Sequence, residues 1–346
     1  MKPIAFIVII LLFFSSCQVD SQRVFLAGRV VVSSFPEEEK TLTAAGSFSG
    51  SYLEGVYMME GVADSLIVFS NRIGSPYCFR LLNLRDSAYV DFLRRGRGPD
   101  EVDVGFSAGL RNSDGVTYFD VDAENQHFLL SIDVFATFKE REMVVKDKIN
   151  VLKGAHASYP LGEEILSFVL YDEDSYSIKL YGKTGREIRR VSKIFGDESY
   201  PAEYQAVFES ARTMKPDRTK LAMPMIFFDE IGIFDLEGED HLSVSSSRRT
   251  DSKSKIEQML ARDDEPTQVY YRDCSATDDA IYALYCNCDV REVNATLPVI
   301  HVFSWDGQLK AVYHLNEYLY GISVSGDGKT LYGLTAEEVL YSYDLS

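Results

Sequence analysis

The sequence predicts an all-β chain folded as a six-bladed β-propeller, and three observations support this fold class. The first is composition, because the 346 residues include 21 Tyr and 21 Phe but 10 Pro and 1 Trp, and Tyr and Phe favour half-buried strand surfaces. The second is a pair of apolar segments that recurs roughly every fifty residues. The third is that the sequence ends directly after the last of these segments.

The recurring pair defines the blades. Its first segment follows a turn-forming Asp or Gly and starts at residues 64, 114, 162, 217, 279 and 327. Its second segment starts at residues 79, 128, 178, 231, 300 and 339. Six copies predict six units, and a propeller needs such units because each four-stranded blade buries its faces against its neighbours. A β-sandwich also contains short strands, but it does not predict a near-constant interval.

The sixth blade lacks room for its own outer strand. We expect the alternating stretch 30–35 to supply that strand and so remove an exposed sheet edge. The alternative is that this stretch is a linker, which the charged residues 36–40 support. Residues 29–346 are therefore assigned to the propeller, including an N-terminal closing strand.

Two segments exceed the repeat length. Residues 197–215 contain Pro201, after which Ala206, Val207 and Ala211 follow at helical spacing, and this predicts a helix that starts at the proline. Residues 245–265 are polar apart from one apolar pair. We expect both segments to leave the propeller rim as excursions.

The N-terminus has the pattern of an export signal. Lys2 precedes an apolar run over 4–14, which has the length of a signal-peptide core and is too short to span a bilayer. The following residues, Phe14, Ser15, Ser16 and Cys17, resemble a bacterial lipobox, with Phe14 in place of the usual Leu. The resemblance implies that Cys17 is diacylated and becomes the first mature residue, whereas a plain secretory signal would leave it an incidental thiol.

Accordingly, residues 1–16 are assigned to a signal peptide and residues 17–28 to an anchor and linker. Acyl chains on Cys17 would hold the protein to a membrane without a spanning helix. The expected location is the cell envelope, with the outer membrane as the anchoring membrane.

Composition also restricts the partners. The 53 acidic and 35 basic residues give a formal charge of −18, which argues against nucleic acid and anionic lipid headgroups. Cys78, Cys274, Cys286 and Cys288 are too few for a disulfide scaffold, and the spacing of the last two is not that of a zinc or redox pair. We expect these cysteines to be buried small apolar residues, and the alternative is that the even number forms disulfides, which an exported protein permits.

Several motifs resemble the six-bladed TolB-like propeller lipoproteins of Bacteroidetes. The stretch 94–101 is similar to the glycine-rich segment that follows the first blade in that family. The stretches 271–278 and 302–307 are similar as well, and the likeness extends over residues 45–346. The resemblance implies a fold and an envelope location, but no activity, because propellers carry many functions.

The sequence contains no catalytic motif. The five His residues lack metal-binding spacing, and neither a nucleophile elbow nor a phosphate loop is present. Acidic clusters lie at 172–174, 237–240 and 263–265 and are typical of solvated loops. A weak hypothesis is that any of them binds calcium with low affinity. We therefore predict no catalytic residue, no metal site and no cofactor, apart from that weak calcium hypothesis.

The sharpest local feature is a basic loop. Arg94, Arg95 and Arg97 surround Gly96 and Gly98, and glycine lets the backbone turn tightly or approach a ligand. One hypothesis is that the guanidinium groups hold a carboxylate or sulfate of a ligand at the propeller rim. The other, which we favour, is that they form ion pairs with neighbouring acidic residues.

Two functions remain. The first is a membrane-anchored lipoprotein whose non-catalytic propeller binds a glycan, a peptide or an envelope protein. The second is a calcium-dependent hydrolase of the lactonase type, in which carboxylates from several blades would meet a metal ion on the ring axis. Such a site is assembled from single residues on separate blades, so sequence spacing does not test it.

Overall fold

The computed structural model describes residues 24–98, 101–172, 175–195, 207–246, 251–262 and 267–346. These residues form six sheets of four or five strands each. The first strand of each blade is innermost, because these first strands contact one another around most of the ring. The fold is therefore the six-bladed propeller that the repeats predict.

The chain begins with three short strands that join later blades, and each blade then follows in sequence. The N-terminal strands are β1 (Arg29–Val32), β2 (Glu38–Thr41) and β3 (Ala44–Phe48). Blade 1 contains β4 (Val56–Ala63), β5 (Leu66–Asn71), β6 (Tyr77–Asn83) and β7 (Tyr89–Arg94). Blade 2 contains β8 (Phe106–Ser113), β9 (Val116–Ala123), β10 (Phe128–Asp133) and β11 (Val145–Asn150). Blade 3 contains β12 (Ala155–Leu161), β13 (Glu164–Asp172), β14 (Ser175–Gly182) and β15 (Glu187–Lys193).

The last three blades have the same plan. Blade 4 contains β16 (Thr213–Met214), β17 (Lys220–Pro224), β18 (Ile231–Asp235) and β19 (Leu242–Ser245). Blade 5 contains β20 (Gln268–Ala276), β21 (Ala280–Asp289), β22 (Val299–Ser304) and β23 (Leu309–His314). Blade 6 contains β24 (Leu319–Val324), β25 (Thr330–Thr335) and β26 (Leu340–Asp344). Within the described residues, the helices of more than one turn are α1 (Val134–Glu140) and α2 (Ser252–Arg262).

The repeated segments are the second and third strands of each blade. Their predicted starts fall at or near β5 and β6 in blade 1 and recur in the same places through β25 and β26 in blade 6. These two strands are central in the sheet, so both their faces are covered, and their apolar runs are correspondingly the clearest in the sequence.

Closure of the ring uses the N-terminus, as predicted, but a different segment. β3 pairs antiparallel with β26, placing Ser47 opposite Tyr341, and so completes blade 6. The predicted closing stretch 30–35 was wrong in its partner, because β1 pairs in parallel with β19 of blade 4. β2 likewise adds to β23 of blade 5. The physical reason is proximity along the chain, since β3 leads directly into blade 1, which lies beside blade 6.

The segment before β1 is fixed by a buried carboxylate. The backbone amides of Phe25 and Leu26 donate to the carboxylate of Glu230, at 2.9 and 3.0 Å. The Phe25 ring stacks on Phe195 with centroids 4.3 Å apart. Because Glu230 is fully buried, this docking supplies hydrogen bonds that the carboxylate needs inside the protein.

The core lies between the blades. Six clusters of buried apolar side chains occupy the six junctions. Between blades 1 and 2, for example, Phe79 packs edge-on against Phe119, with ring centroids 4.9 Å apart. The cluster between blades 2 and 3 is the smallest, with Leu129, Ile149 and Ile165 as its buried members.

Strand order defines two faces of the ring. Because neighbouring strands within a blade are antiparallel, the turn after the second strand and the connection to the next blade lie on one face, which we call the B–C face. The turns after the first and third strands lie on the opposite A–B face. Helix α2 belongs to the connection between blades 4 and 5, within the polar insertion, and α1 precedes the last strand of blade 2. The start of the predicted helix, at 201–206, lies outside the described residues.

Candidate functional site

A partly exposed group of aromatic and basic side chains lies at the B–C face. Tyr57 is on β4, Arg272 on β20 and Tyr320 on β24, so three consecutive innermost strands around the ring supply it. We call these three residues the Tyr–Arg array. The array lies on the B–C face because the Arg272 side chain reaches Asn294 in the B–C turn of blade 5.

The array is held in a defined geometry. The Arg272 guanidinium lies over the Tyr320 ring, 3.7 Å from its centroid, and its Nη1 donates to Asn294 Oδ1 at 2.9 Å. The Tyr320 hydroxyl donates to the Tyr57 hydroxyl at 2.6 Å. The neighbouring Tyr320 hydroxyl, together with burial, raises the pKa of Tyr57 to about 12. Tyr57 therefore keeps its proton at neutral pH and can donate it to a ligand.

Arg272 differs from its neighbour Arg72 in its ionic contacts. Arg72 forms an ion pair with Glu338 at 3.1 Å. Among the described residues, by contrast, no carboxylate lies within ion-pair distance of Arg272. The Nε and Nη2 edge of Arg272 also has no hydrogen-bond acceptor within that part of the chain. The two donors on this edge can therefore bind an anionic group of a ligand.

Two carboxylates lie deeper, among the innermost strands. Asp273 on β20 accepts hydrogen bonds from the amides of Cys274 and Ile322, at 2.8 and 2.7 Å, and so links blade 5 to blade 6. Burial, and secondarily the nearby Glu60 carboxylate, raises the pKa of Asp273 to about 7. Burial also raises the pKa of Glu60, which accepts from the Ser70 hydroxyl.

The A–B end of the ring is crossed by another arginine. Arg218, in the first turn of blade 4, donates to the Leu110 carbonyl of blade 2 at 2.9 Å. Its Nη2 also lies 3.7 Å from the Asp120 carboxylate, which forms a closer pair with Arg111 at 2.8 Å. Arg218 therefore connects two blades that are not adjacent and has a structural role.

A buried polar cluster lies between blades 4 and 5. The Ser246 hydroxyl donates to the Asp229 carboxylate at 2.7 Å, and the Tyr271 hydroxyl lies 3.4 Å from His301 Nδ1. Burial lowers the pKa of His301 to about 3, so that this histidine is neutral. These residues satisfy one another's hydrogen bonds, which is how buried polar groups normally contribute to a fold.

The basic loop predicted from the sequence lies on the same B–C face. Arg94 and Arg97 are exposed and pair with Glu101 and Asp103, at 3.4 and 2.9 Å. Arg95 donates to the Asn71 carbonyl at 3.1 Å instead. Two of the three arginines therefore pair with acidic residues close to them in sequence. The predicted lipidation site, Cys17, lies outside the described residues.

The four cysteines are buried and none forms a disulfide. Burial raises the pKa of Cys286 to about 12, so its thiol is not ionised at neutral pH. Within the ranges that the structure describes, no group of three His, Cys, Asp or Glu residues is arranged to hold a metal ion. In those same ranges, no helix has the length and apolar character needed to cross a membrane.

Sequence reasoning found the basic loop and missed the array. Arg94, Arg95 and Arg97 are neighbours in sequence, whereas Tyr57 and Tyr320 are far apart and meet only when blade 6 closes on blade 1. One signal was available, because Arg272 belongs to the stretch 271–278 that carries the family resemblance.

Comparison with known proteins supports the architecture. Residues 35–327 match the family model described as TolB-like 6-blade propeller-like. A crystal structure of a DUF4221 family member from Bacteroides vulgatus is similar, with 13% identity, a TM-score of 0.52 and coverage of 92% of this chain and 97% of that chain. At that identity the likeness concerns the fold alone.

Two further solved structures align less closely. Hsv2 from Kluyvelomyces marxianus has 12% identity and a TM-score of 0.41, covering 82% of this chain and 73% of that one. A chain of a mitotic checkpoint complex has 8% identity and a TM-score of 0.44, covering 92% and 99%. No curated protein sequence matched this chain.

Proposed function

The chain belongs to the TolB-like six-bladed propeller family, and on this premise we propose that it is a lipid-anchored envelope protein whose B–C face binds a ligand without catalysis. The observation that carries the proposal is the concentration of exposed aromatic and apolar side chains on that face. They are Tyr57, Ile73, Tyr77, Val104, Phe106, Val290, Leu297 and Tyr318. Clusters of exposed apolar residues with polar neighbours are typical of binding surfaces.

Site-specific photocrosslinking tests the binding face. A benzoylphenylalanine residue replaces Tyr318 on the B–C face, where the native side chain is 49% exposed, or Ile188 on the A–B face, where it is 51% exposed. We expect a discrete adduct in native envelopes from position 318 and none from position 188. Equal adduct formation at both positions, or none at either, would contradict the proposal.

The proposed anchor is Cys17, on the basis of its lipobox resemblance. Changing Cys17 to Ser should abolish incorporation of a clickable fatty acid and leave the precursor with residues 1–16 attached. A Cys78→Ser variant is the matched control, because Cys78 is buried in the propeller and should not affect labelling. Equal labelling of wild-type and Cys17→Ser protein would show that another residue, or none, carries the lipid.

The basic loop belongs to the proposal as a second contact for an anionic ligand. Arg94 and Arg97 are exposed on the B–C face, and their ion pairs with Glu101 and Asp103 are surface pairs. Such pairs contribute about 0 to 1 kcal/mol, so a ligand carboxylate could replace the protein carboxylates at little cost.

The competing function is a calcium-dependent hydrolase, and one observation favours it. Asp273 is a buried carboxylate of blade 5, and the nearby Glu60 carboxylate of blade 1 contributes to its raised pKa. Calcium takes six to eight oxygen ligands, however, and these two carboxylates already accept protein hydrogen bonds. These two carboxylates supply too few ligands by themselves. Tightly bound calcium in metal analysis of the purified protein would support the hydrolase instead.

A further inference from the structure

We propose that the Tyr–Arg array recognises the carboxylate of an acidic sugar, so that the ligand of the B–C face is a uronate-containing saccharide. This inference rests on the proposed function and specifies the chemistry of its ligand. Three features of the array carry it: an arginine edge without a partner among the described residues, a hydroxyl donor beside it, and the exposed ring of Tyr57.

The arginine edge has the geometry that a carboxylate requires. Arg272 is fixed on two sides, since Tyr320 covers its plane at 3.7 Å and Asn294 accepts from Nη1 at 2.9 Å. The Nε and Nη2 donors that remain form a parallel pair, which binds the two oxygens of a carboxylate in a bidentate manner. Because the guanidinium is already oriented, little side-chain entropy is lost when a ligand binds.

The charge of the molecule makes this edge selective. In a chain with a formal charge of −18, most exposed basic groups lie near an acidic one, as Arg72 lies near Glu338. A guanidinium that is unpaired among the described residues therefore gives a local positive site within a negative surface. Such a surface repels polyanions, so the site suits a ligand with few, separated negative groups.

The exposed rings on this face suit the apolar face of a sugar. Tyr57 of the array and Tyr318, two residues before Tyr320 in the chain, are 47% and 49% exposed, and a pyranose ring presents a C–H face that packs on an aromatic ring. Tyr57 accepts from Tyr320, so its own hydroxyl proton is available to donate to a sugar hydroxyl or to the carboxylate.

Calorimetric titration of the mature protein tests this proposal with defined probes. The probes are a glucuronate-containing tetrasaccharide, the same saccharide with its carboxyl groups reduced to alcohols, a sulfated saccharide and an acidic tetrapeptide. We expect the glucuronate saccharide to bind at least about tenfold more tightly than its reduced counterpart, which corresponds to about 1.4 kcal/mol. The sulfated saccharide should bind less tightly than the glucuronate, because sulfate is not planar.

Variants assign the preference to the array. Arg272→Ala should remove the preference for the glucuronate, and Arg272→Lys should restore only part of it, because lysine keeps the charge but not the paired donors. Arg141→Ala is the matched control, since Arg141 also lies over an aromatic ring, Phe138, but on the A–B face. If Arg272→Ala melts early, Tyr57→Phe removes one hydroxyl and should weaken glucuronate binding several-fold.

The outcomes separate this inference from the proposed function. Equal binding of the glucuronate and its reduced counterpart, tighter binding of the acidic peptide, or no saccharide binding would overturn the inference. In each case an adduct from position 318 would still support the proposal that the B–C face binds a ligand. Loss of that adduct as well would overturn the proposed function itself.

Discussion

At the scale of single residues, Asp273 combines a structural and an electrostatic role. Its carboxylate is 8% exposed and ties β20 to β24 through two backbone amides. Burial raises its pKa to about 7, above the value of about 3.9 expected in the unfolded chain. Between these two values the folded state holds a proton that the unfolded state has released.

This difference predicts a pH-dependent stability. The stability that protonated Asp273 contributes is fully present below about pH 4 and is lost as the pH rises through about 7. The free energy of unfolding falls across this range because the folded state binds more protons there than the unfolded state. Between pH 5 and pH 8 the wild-type protein should lose on the order of 2 kcal/mol relative to Asp273→Asn. Chemical unfolding of both proteins across this range measures the difference.

The comparison with the variant also removes the opposite effect of His301. Its pKa is lowered to about 3 by burial, so its contribution is lost as the pH falls below about 6.5 in either protein. Parallel pH profiles for wild type and Asp273→Asn would contradict the prediction.

At the same scale, sequence patterns predicted the burial of the cysteines and the neighbours of the basic loop. They could not predict Asp273 or the array, because each of these residues gains its role from a partner on another blade. Tyr57 and Tyr320 are separated by almost the whole propeller in sequence but by one hydrogen bond in space.

At the scale of elements, β3 closes the ring. Its pairing with β26 converts the exposed edge of blade 6 into a complete sheet. Strands β1 and β2, by contrast, add to blades 4 and 5, which already have four strands. The three N-terminal strands therefore differ in their importance for closure.

Proline substitutions should show this difference. Changing Gly46 and Ser47 of β3 to Pro removes at least one ladder donor, since successive amides point to opposite sides. It should destabilise the protein by at least about 1 kcal/mol and promote self-association. The same change at Val31 and Val32 of β1 should leave a monomer with a smaller loss. Thermal melting and light scattering measure both, and a larger effect in β1 would contradict this assignment.

The central strands could be predicted because both their faces are buried, which leaves an apolar run between two turn signals. The outer strands could not be assigned in the same way. β1 has exposed Val30 and Val32 and an alternating pattern that fits any sheet edge, so only the geometry of the ring decides which edge it joins.

At the scale of the whole molecule, Arg218 braces the ring where its apolar core is thinnest. The junction between blades 2 and 3 has the smallest buried cluster among the described residues. Arg218 of blade 4 contacts Leu110 and Asp120 of blade 2 and so links the two blades that flank blade 3.

Arg218→Ala should therefore destabilise the propeller. Asp120 would keep its pair with Arg111, so we expect a loss of about 1 to 3 kcal/mol rather than the larger cost of an isolated buried charge. Arg85→Ala is a suitable control, because Arg85 and Asp64 form an exposed pair whose loss should cost less than about 1 kcal/mol. Equal denaturation midpoints for the two variants would exclude the bracing role.

The docking of Phe25 and Leu26 on Glu230 limits how far the propeller can travel from its proposed anchor. Eight peptide units separate position 17 from position 25, and an extended chain covers at most about 3.6 Å per residue. The leash between a lipid on Cys17 and the junction of blades 3 and 4 is thus at most about 29 Å long, comparable to the width of one domain. A propeller on so short a tether could rotate but could not move far from the membrane. It would meet ligands only within a thin layer above the membrane surface.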